Sequence, residues 1–218
     1  DGFDSLEFSV SKTSENRTSI GDLSREDDVV IASVVNARKK NIENKRLLIE
    51  CTRYKKNIVY SEKMWEERYE GQKADGKKTM QMQVIFPKPQ HIGALGKGAV
   101  YSFLPTQIKT VIPLACHIPF KLDVSREYID DQKKNSWFEH SCKSFSKMME
   151  EVYIDYAKIV KQDLIFYLPT KFQHLFEIDP NNSKLVILKR DDFKGNKYFA
   201  LPVFYTSNGN YKKNHEIY

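Results

Sequence analysis

The chain has 218 residues, 40% of them hydrophobic and 12% aromatic, with 29% charged and a formal net charge of +6. That length supplies a core for one large domain or two small ones, and that composition excludes a disordered chain. No apolar run approaches the roughly 20 residues that span a bilayer, and Asp1-Gly2-Phe3-Asp4 carries neither the basic start nor the apolar stretch of a secretory signal. A start without Met reads as a trimmed or excised segment.

Leu6–Val10 alternates like a short strand, and the polar, acidic stretch 12–28 reads as a loop. Val29–Val35 is apolar throughout and fits either a buried strand or a helix start. Arg46–Arg53 and Asn57–Ser61 read as paired strands around a polar Lys55-Lys56-Asn57 turn. Glu62–Tyr69 suits a short helix or an irregular link. A turn at Asp75-Gly76-Lys77-Lys78 leads into a strand over Met80–Phe86, which Pro87-Lys88-Pro89 ends. Gly93–Gly98 is a loop, Val100–Leu104 a strand closed by Pro105, and Val111–Val124 an extended segment interrupted by Pro113 and Pro119. The longest helix is expected from Asn135 to about Leu164, because Phe138, Cys142, Phe145, Met149, Val152, Tyr156 and Ile159 recur at steps of four and three. Beyond Pro169 come a short helix over Phe172–Phe176, strands over Lys184–Lys189 and Tyr198–Tyr205, and a polar tail at 207–218.

Early strands, a strand-rich centre, one long helix and late strands define an α+β fold. A subdivision near Pro169 gives a main domain over 1–168 and a small C-terminal extension over 169–218.

Charge is unevenly distributed. Residues 1–30 hold eight acids and three bases, leaving 32 bases against 21 acids in the remainder, a balance of +11. A basic body of this kind suits contact with nucleic acid or phosphates, although a solvated, lysine-rich surface is the simpler reading. Cys51, Cys116 and Cys142 are odd in number and widely spaced, which suits free buried thiols in the reducing cytoplasm better than a disulfide framework or a zinc site.

Most chemical motifs fail on spacing. Gly93-Ala94-Leu95-Gly96-Lys97-Gly98 departs from a phosphate loop, since His91 stands where the first Gly is required and Gly98 replaces Ser/Thr. Lys97 remains a candidate phosphate contact. The five histidines do not pair at metal-ligand spacing, and His140 and Cys142 would lie on different faces of their helix. Adjacent Cys116 and His117 point to opposite faces of a strand, which leaves a thiol-protease dyad without support.

One segment is different. Pro119-Phe120-Lys121-Leu122-Asp123-Val124-Ser125-Arg126-Glu127 runs toward an expected helix start, with Ser125 as cap and Glu127 in the first turn. Arg126 is thereby fixed at its base and free at its tip, as suits a guanidinium that reaches a phosphate or carboxylate. A surface ion pair with Asp130 is the simpler alternative.

Leu122-Asp123-Val124-Ser125-Arg126-Glu127 resembles the Leu-Asn-Val-Ser-Arg-Glu segment of the heat-shock chaperone ATPases of the GHKL superfamily. Val100-Tyr101-Ser102-Phe103-Leu104-Pro105-Thr106, Ile118-Pro119-Phe120 and Asn135-Ser136-Trp137 follow the order of motifs in sacsin-like members, so the resemblance spans residues 95–165. Asp123 replaces the usual Asn and Lys121 the chaperones' Pro, which favours the sacsin-like branch. The resemblance implies a βαβ-type middle, or transducer, domain that follows an ATP-binding domain. It implies that Arg126 contacts the γ-phosphate, with Lys109 as a second candidate. No Asp-x-Gly-x-Gly, no helix offering Glu and Asn to magnesium and no glycine-rich lid is present. ATP and Mg2+ would therefore be held by a domain absent from this chain, and the chain alone would neither bind ATP tightly nor hydrolyse it. The implied partners are that N-terminal ATP-binding domain and a client protein or nucleic acid, in a parent that is cytoplasmic and admits a homodimer. A basic nucleic-acid-binding or protein-interaction module without ATPase coupling is the competing expectation.

Overall fold

The structure, a computed structural model, describes residues 5–35, 45–72, 76–92, 98–110, 114–126, 129–130, 136–160, 204–205 and 210–212. It divides into two compact units, Asp1–Ser141 and Cys142–Tyr218, with the boundary inside a helix. The expected subdivision at Pro169 lies outside the described residues, as do Lys97, the helix over Phe172–Phe176 and the strand over Lys184–Lys189.

The first unit is built on a mixed seven-stranded sheet, and with its helices it makes the α+β class plain. The strands are β1 (Ser5–Ile20), β2 (Leu23–Val35), β3 (Lys45–Tyr60), β4 (Lys78–Pro87), β5 (Gly98–Ser102), β6 (Leu104–Thr110) and β7 (Ala115–His117), in the order β1-β2-β3-β4-β7-β5-β6. Every pairing is antiparallel except β5 with β7. That parallel pair is connected through β6 rather than through a helix.

Several sequence expectations are corrected here. The stretch 12–28 is not a loop: most of it lies in β1 and β2, joined by a tight hairpin at Gly21, whose φ of 59° glycine adopts without steric cost. Lys55-Lys56-Asn57 is not a turn. It continues β3, because its charge is accommodated across the strands: Glu26 on β2 accepts from Arg53 at 3.1 Å and from Lys55 at 2.7 Å. Pro105 does not close a strand but lies within β6, at the sheet edge opposite Tyr101, where its missing N–H leaves no interior ladder incomplete.

Register explains where the core sits. Tyr54, Val84, Cys116 and Val100 form one cross-strand row over β3, β4, β7 and β5, and all four are buried. Met82 and Phe86 extend the same face of β4 by the two-residue period of a strand. The next row, Gln83, His117 and Tyr101, turns to the opposite face. Gly98 is required where it stands, because a Cβ there would overlap the Leu114 carbonyl and the Thr110 hydroxyl.

Helix α1 (Glu62–Arg68) follows β3 directly, with the Ser61 hydroxyl accepting the Met64 N–H at 3.3 Å as its cap. A four-residue α2 (Pro89–Ile92) follows β4. Helix α3 (Ser136–Val160) begins within the first unit. Its N-terminal Ser136 N–H donates to the Glu67 carboxylate at 3.1 Å, an acid placed at the positive end of the helix dipole. Trp137 donates its indole N–H to the Pro119 carbonyl at 2.6 Å and stacks on Tyr60 with ring centroids 3.8 Å apart.

In the second unit, Cys142, Phe145, Met149, Val152 and Tyr156 of the expected stripe are buried, joined by Met148, Tyr153 and Ala157, whereas Ile159 is exposed. Phe204–Tyr205 forms β8 and pairs antiparallel with β9 (Tyr211–Lys212), so part of the expected polar tail is strand.

Candidate phosphate-binding cleft

A cleft of about 330 Å³ opens in the first unit between three segments that the fold brings together. Arg68 and Tyr69 come from the end of α1, Ser102–Leu104 from the turn between β5 and β6, and Phe120–Asp123 with Arg126 from the segment after β7.

Each wall is held by specific bonds. Ser102 donates its hydroxyl to the Phe120 carbonyl at 2.7 Å, tying the β5–β6 turn to the segment after β7. Phe103 makes that turn in a left-handed conformation, φ 64°, which is costly for a bulky residue. It is retained there because its backbone N–H donates to Nε2 of His117 at 3.3 Å and its ring packs edge-on against the imidazole. Lys121 reaches Glu70 at 3.3 Å and Asp130 at 3.5 Å.

The loop that carries Arg126 is closed by an antiparallel bridge between Leu122 and Ile129 and by the Asp130 N–H donating to the Lys121 carbonyl at 2.8 Å. The Arg126 N–H donates to the Asp123 carbonyl at 3.0 Å, and Ser125 donates its hydroxyl to the Asp123 carboxylate at 2.7 Å. Ser125 is therefore a turn residue and not a helix cap: Arg126 sits at φ 61°, in the left-handed region, where no helix can begin. The effect on Arg126 is nevertheless the one its sequence context suggests, a fixed base and an exposed side chain. Asp130 pairs with Lys121.

The cleft lining carries three cations, Arg68, Lys121 and Arg126, against one carboxylate, Asp123. Phe103 and Leu104 of its lining are exposed apolar side chains, as is Val124, which follows Asp123 in the chain. Cations arranged around a partly apolar concavity attract an anion and bind it more strongly than an open surface would, because the walls exclude water.

Of the two described candidates for a phosphate contact, Arg126 and Lys109, the cleft gathers Arg126. Lys109 lies on β6 opposite Ala99, on the strand face alternate to buried Thr106, Ile108 and Thr110, and outside the cleft lining. Arg68 was not legible as a site residue. Its local signal is weak, an Arg flanked on α1 by Trp65 and Tyr69, and its principal neighbour, Trp137, is remote in sequence.

A smaller cavity of about 180 Å³ lies beside Gln83, Ile85, Tyr101, Phe103 and His117. Burial pushes the His117 pKa below its ordinary value and the neighbouring Cys116 thiol far above its own, so Cys116 is a protonated thiol and no nucleophile. Among the described residues, no three His, Cys, Asp or Glu side chains gather as a metal site, and no helix is long and apolar enough to cross a membrane.

No protein-family model matches the chain, and no curated protein or solved structure is significantly similar to it.

Proposed function

We propose that the chain is the middle, transducer domain of a GHKL-type ATPase of the sacsin-like branch, and that it presents Arg126 to the γ-phosphate of ATP held by a separate domain. The observation that carries this reading is the placement of Arg126: exposed, at the rim of a cationic cleft, on a loop whose backbone is closed on both sides. A guanidinium so mounted meets transferring phosphoryl charge without having to be ordered at the moment of reaction. ATP supplies the phosphoanhydride and its magnesium, while this chain's residues orient the terminal phosphate and neutralise its charge. The exposed Phe103, Leu104 and Val124 beside the cleft give the nucleotide-bearing domain an apolar rim to close upon. Presence or loss of the γ-phosphate is then felt by the Lys121–Asp130 loop and passed to a client or partner.

The test is ATP hydrolysis by the full-length polypeptide that carries this domain, with Arg126→Ala and Lys109→Ala compared to wild type. Loss of turnover in Arg126→Ala with nucleotide binding retained supports the reading. Equal turnover in wild type and Arg126→Ala removes it and leaves the basic surface, and with it nucleic acid, as the lead.

A further inference from the structure

Arg68 stands out among the cations of the first unit. Its guanidinium carbon lies 4.8 Å from the centroid of the Trp137 ring and 5.4 Å from that of Tyr69. Its Nε and Nη1 are buried and, among the described residues, have no hydrogen-bond partner. A buried donor without a partner is unusual, and three N–H bonds of one guanidinium in that state call for an explanation. The aromatic face of Trp137 explains part of it, since a cation over an indole is stabilised electrostatically. It leaves the buried Nε and Nη1 donors without a partner, on a residue that lines the same cleft as Arg126.

The remaining cation of the cleft is already engaged, since Lys121 is shared between Glu70 and Asp130. Trp137 in turn cannot drift, because its indole N–H is held by the Pro119 carbonyl and its ring by Tyr60. Arg68 is thus held against a fixed aromatic platform with two of its guanidinium nitrogens uncommitted. That is the arrangement in which an arginine recognises a phosphate through two parallel bonds.

We propose that Arg68 is a second phosphate-binding residue of this cleft, acting alongside Arg126. The ligand class is a phosphate or a linear polyphosphate, and the proposal rests on the transducer reading only for the identity of that phosphate as the end of a nucleotide. The cleft therefore binds a small polyphosphate by itself, in the 218-residue chain, with Trp137, against which Arg68 packs, as a built-in reporter.

The experiment is a titration of the chain with pyrophosphate, followed by tryptophan fluorescence and by calorimetry. The expected result is saturable binding, weakened by roughly tenfold or more in Arg68→Gln, as follows from losing a charge-assisted pair of hydrogen bonds. Arg68→Lys keeps the charge and guards against misfolding, and it too binds more weakly because an ammonium lacks the planar fork. Lys63→Gln, an equal charge loss at an exposed α1 position outside the cleft, leaves affinity unchanged. Wild-type affinity in both Arg68 variants, or no saturable binding by the wild-type chain, overturns the proposal. If pyrophosphate binds through Arg68 while Arg126→Ala leaves ATP turnover intact, this inference stands and the transducer reading falls.

Discussion

The backbone N–H of Phe103 donates to Nε2 of His117 at 3.3 Å, and the two rings meet edge-on with centroids 5.0 Å apart. An accepting Nε2 places the imidazole proton on Nδ1, so the histidine that holds the wall of the cleft is neutral. Protonating Nε2 removes the acceptor that fixes Phe103 in its left-handed turn. The pH consequence has a definite sign. Burial lowers the folded-state pKa of His117 below its ordinary 6.5, so the unfolded chain binds the extra proton first. The stability that neutral His117 contributes is fully present above that value and is lost as pH falls below it. Thermal unfolding midpoints should decline from about pH 7.5 to about pH 5, and His117→Gln should flatten that decline. Equal slopes in the two proteins would show that His117 is not the titrating group.

Tyr60 joins β3 to the first turns of α3, sharing a hydrogen bond of 2.9 Å with the Ser141 hydroxyl while it stacks on Trp137. Both contacts are buried. Tyr60→Phe keeps the ring and loses the bond, which costs about 1 kcal/mol, and leaves Ser141 in search of a partner. Trp137→Ala removes the platform itself and costs about 3–5 kcal/mol. Urea unfolding midpoints measure both, and Trp137→Ala should unfold at the lower urea concentration.

Glu26 is the hinge of the β2–β3 charge arrangement, since one carboxylate oxygen serves both Arg53 and Lys55 with little exposure on any of the three. Glu26→Gln leaves two partly buried cations facing a neutral amide, at a cost of about 3 kcal/mol. Replacing Lys63, which is exposed, costs almost nothing by comparison. Chemical denaturation distinguishes them directly.

Gly98 gives a stricter prediction. Gly98→Ala drives a methyl group into the Leu114 carbonyl, which is backbone and cannot turn aside. The β5 end must shift, and the loss of stability should reach about 1–3 kcal/mol or more. Unaltered stability in this variant would mean that β5 and the Leu114 segment are not packed as described.

What the sequence revealed depended on the range of the forces involved. Met80–Phe86 was legible because Met82, Val84 and Phe86 alternate with polar residues, and burial on one face is a two-residue period. The polar run at Lys55-Lys56-Asn57 was misread as a turn because the residue that makes it tolerable, Glu26, lies on a neighbouring strand. Pro105 misled for a related reason: a proline is excluded from a sheet interior but not from an edge, and edge position is a property of the whole topology. Around Ser125 the local pattern of a helix cap is present, yet Arg126 is left-handed and Leu122 bridges to Ile129, which is a turn and not a helix start. Arg126 stands out in the sequence through its short motif, whereas Arg68 does not, because what singles it out is Trp137, a contact that exists only after folding.

The central claim is that Arg126 meets the phosphate transferred from ATP. Single-turnover hydrolysis by the full-length polypeptide, measured for Arg126→Ala with nucleotide binding followed in parallel, tests it most directly. The account predicts a fall in the hydrolysis rate on the order of 10³-fold with nucleotide affinity nearly unchanged, because the guanidinium acts on charge that develops in the transition state. A variant that hydrolyses ATP at the wild-type rate would contradict it.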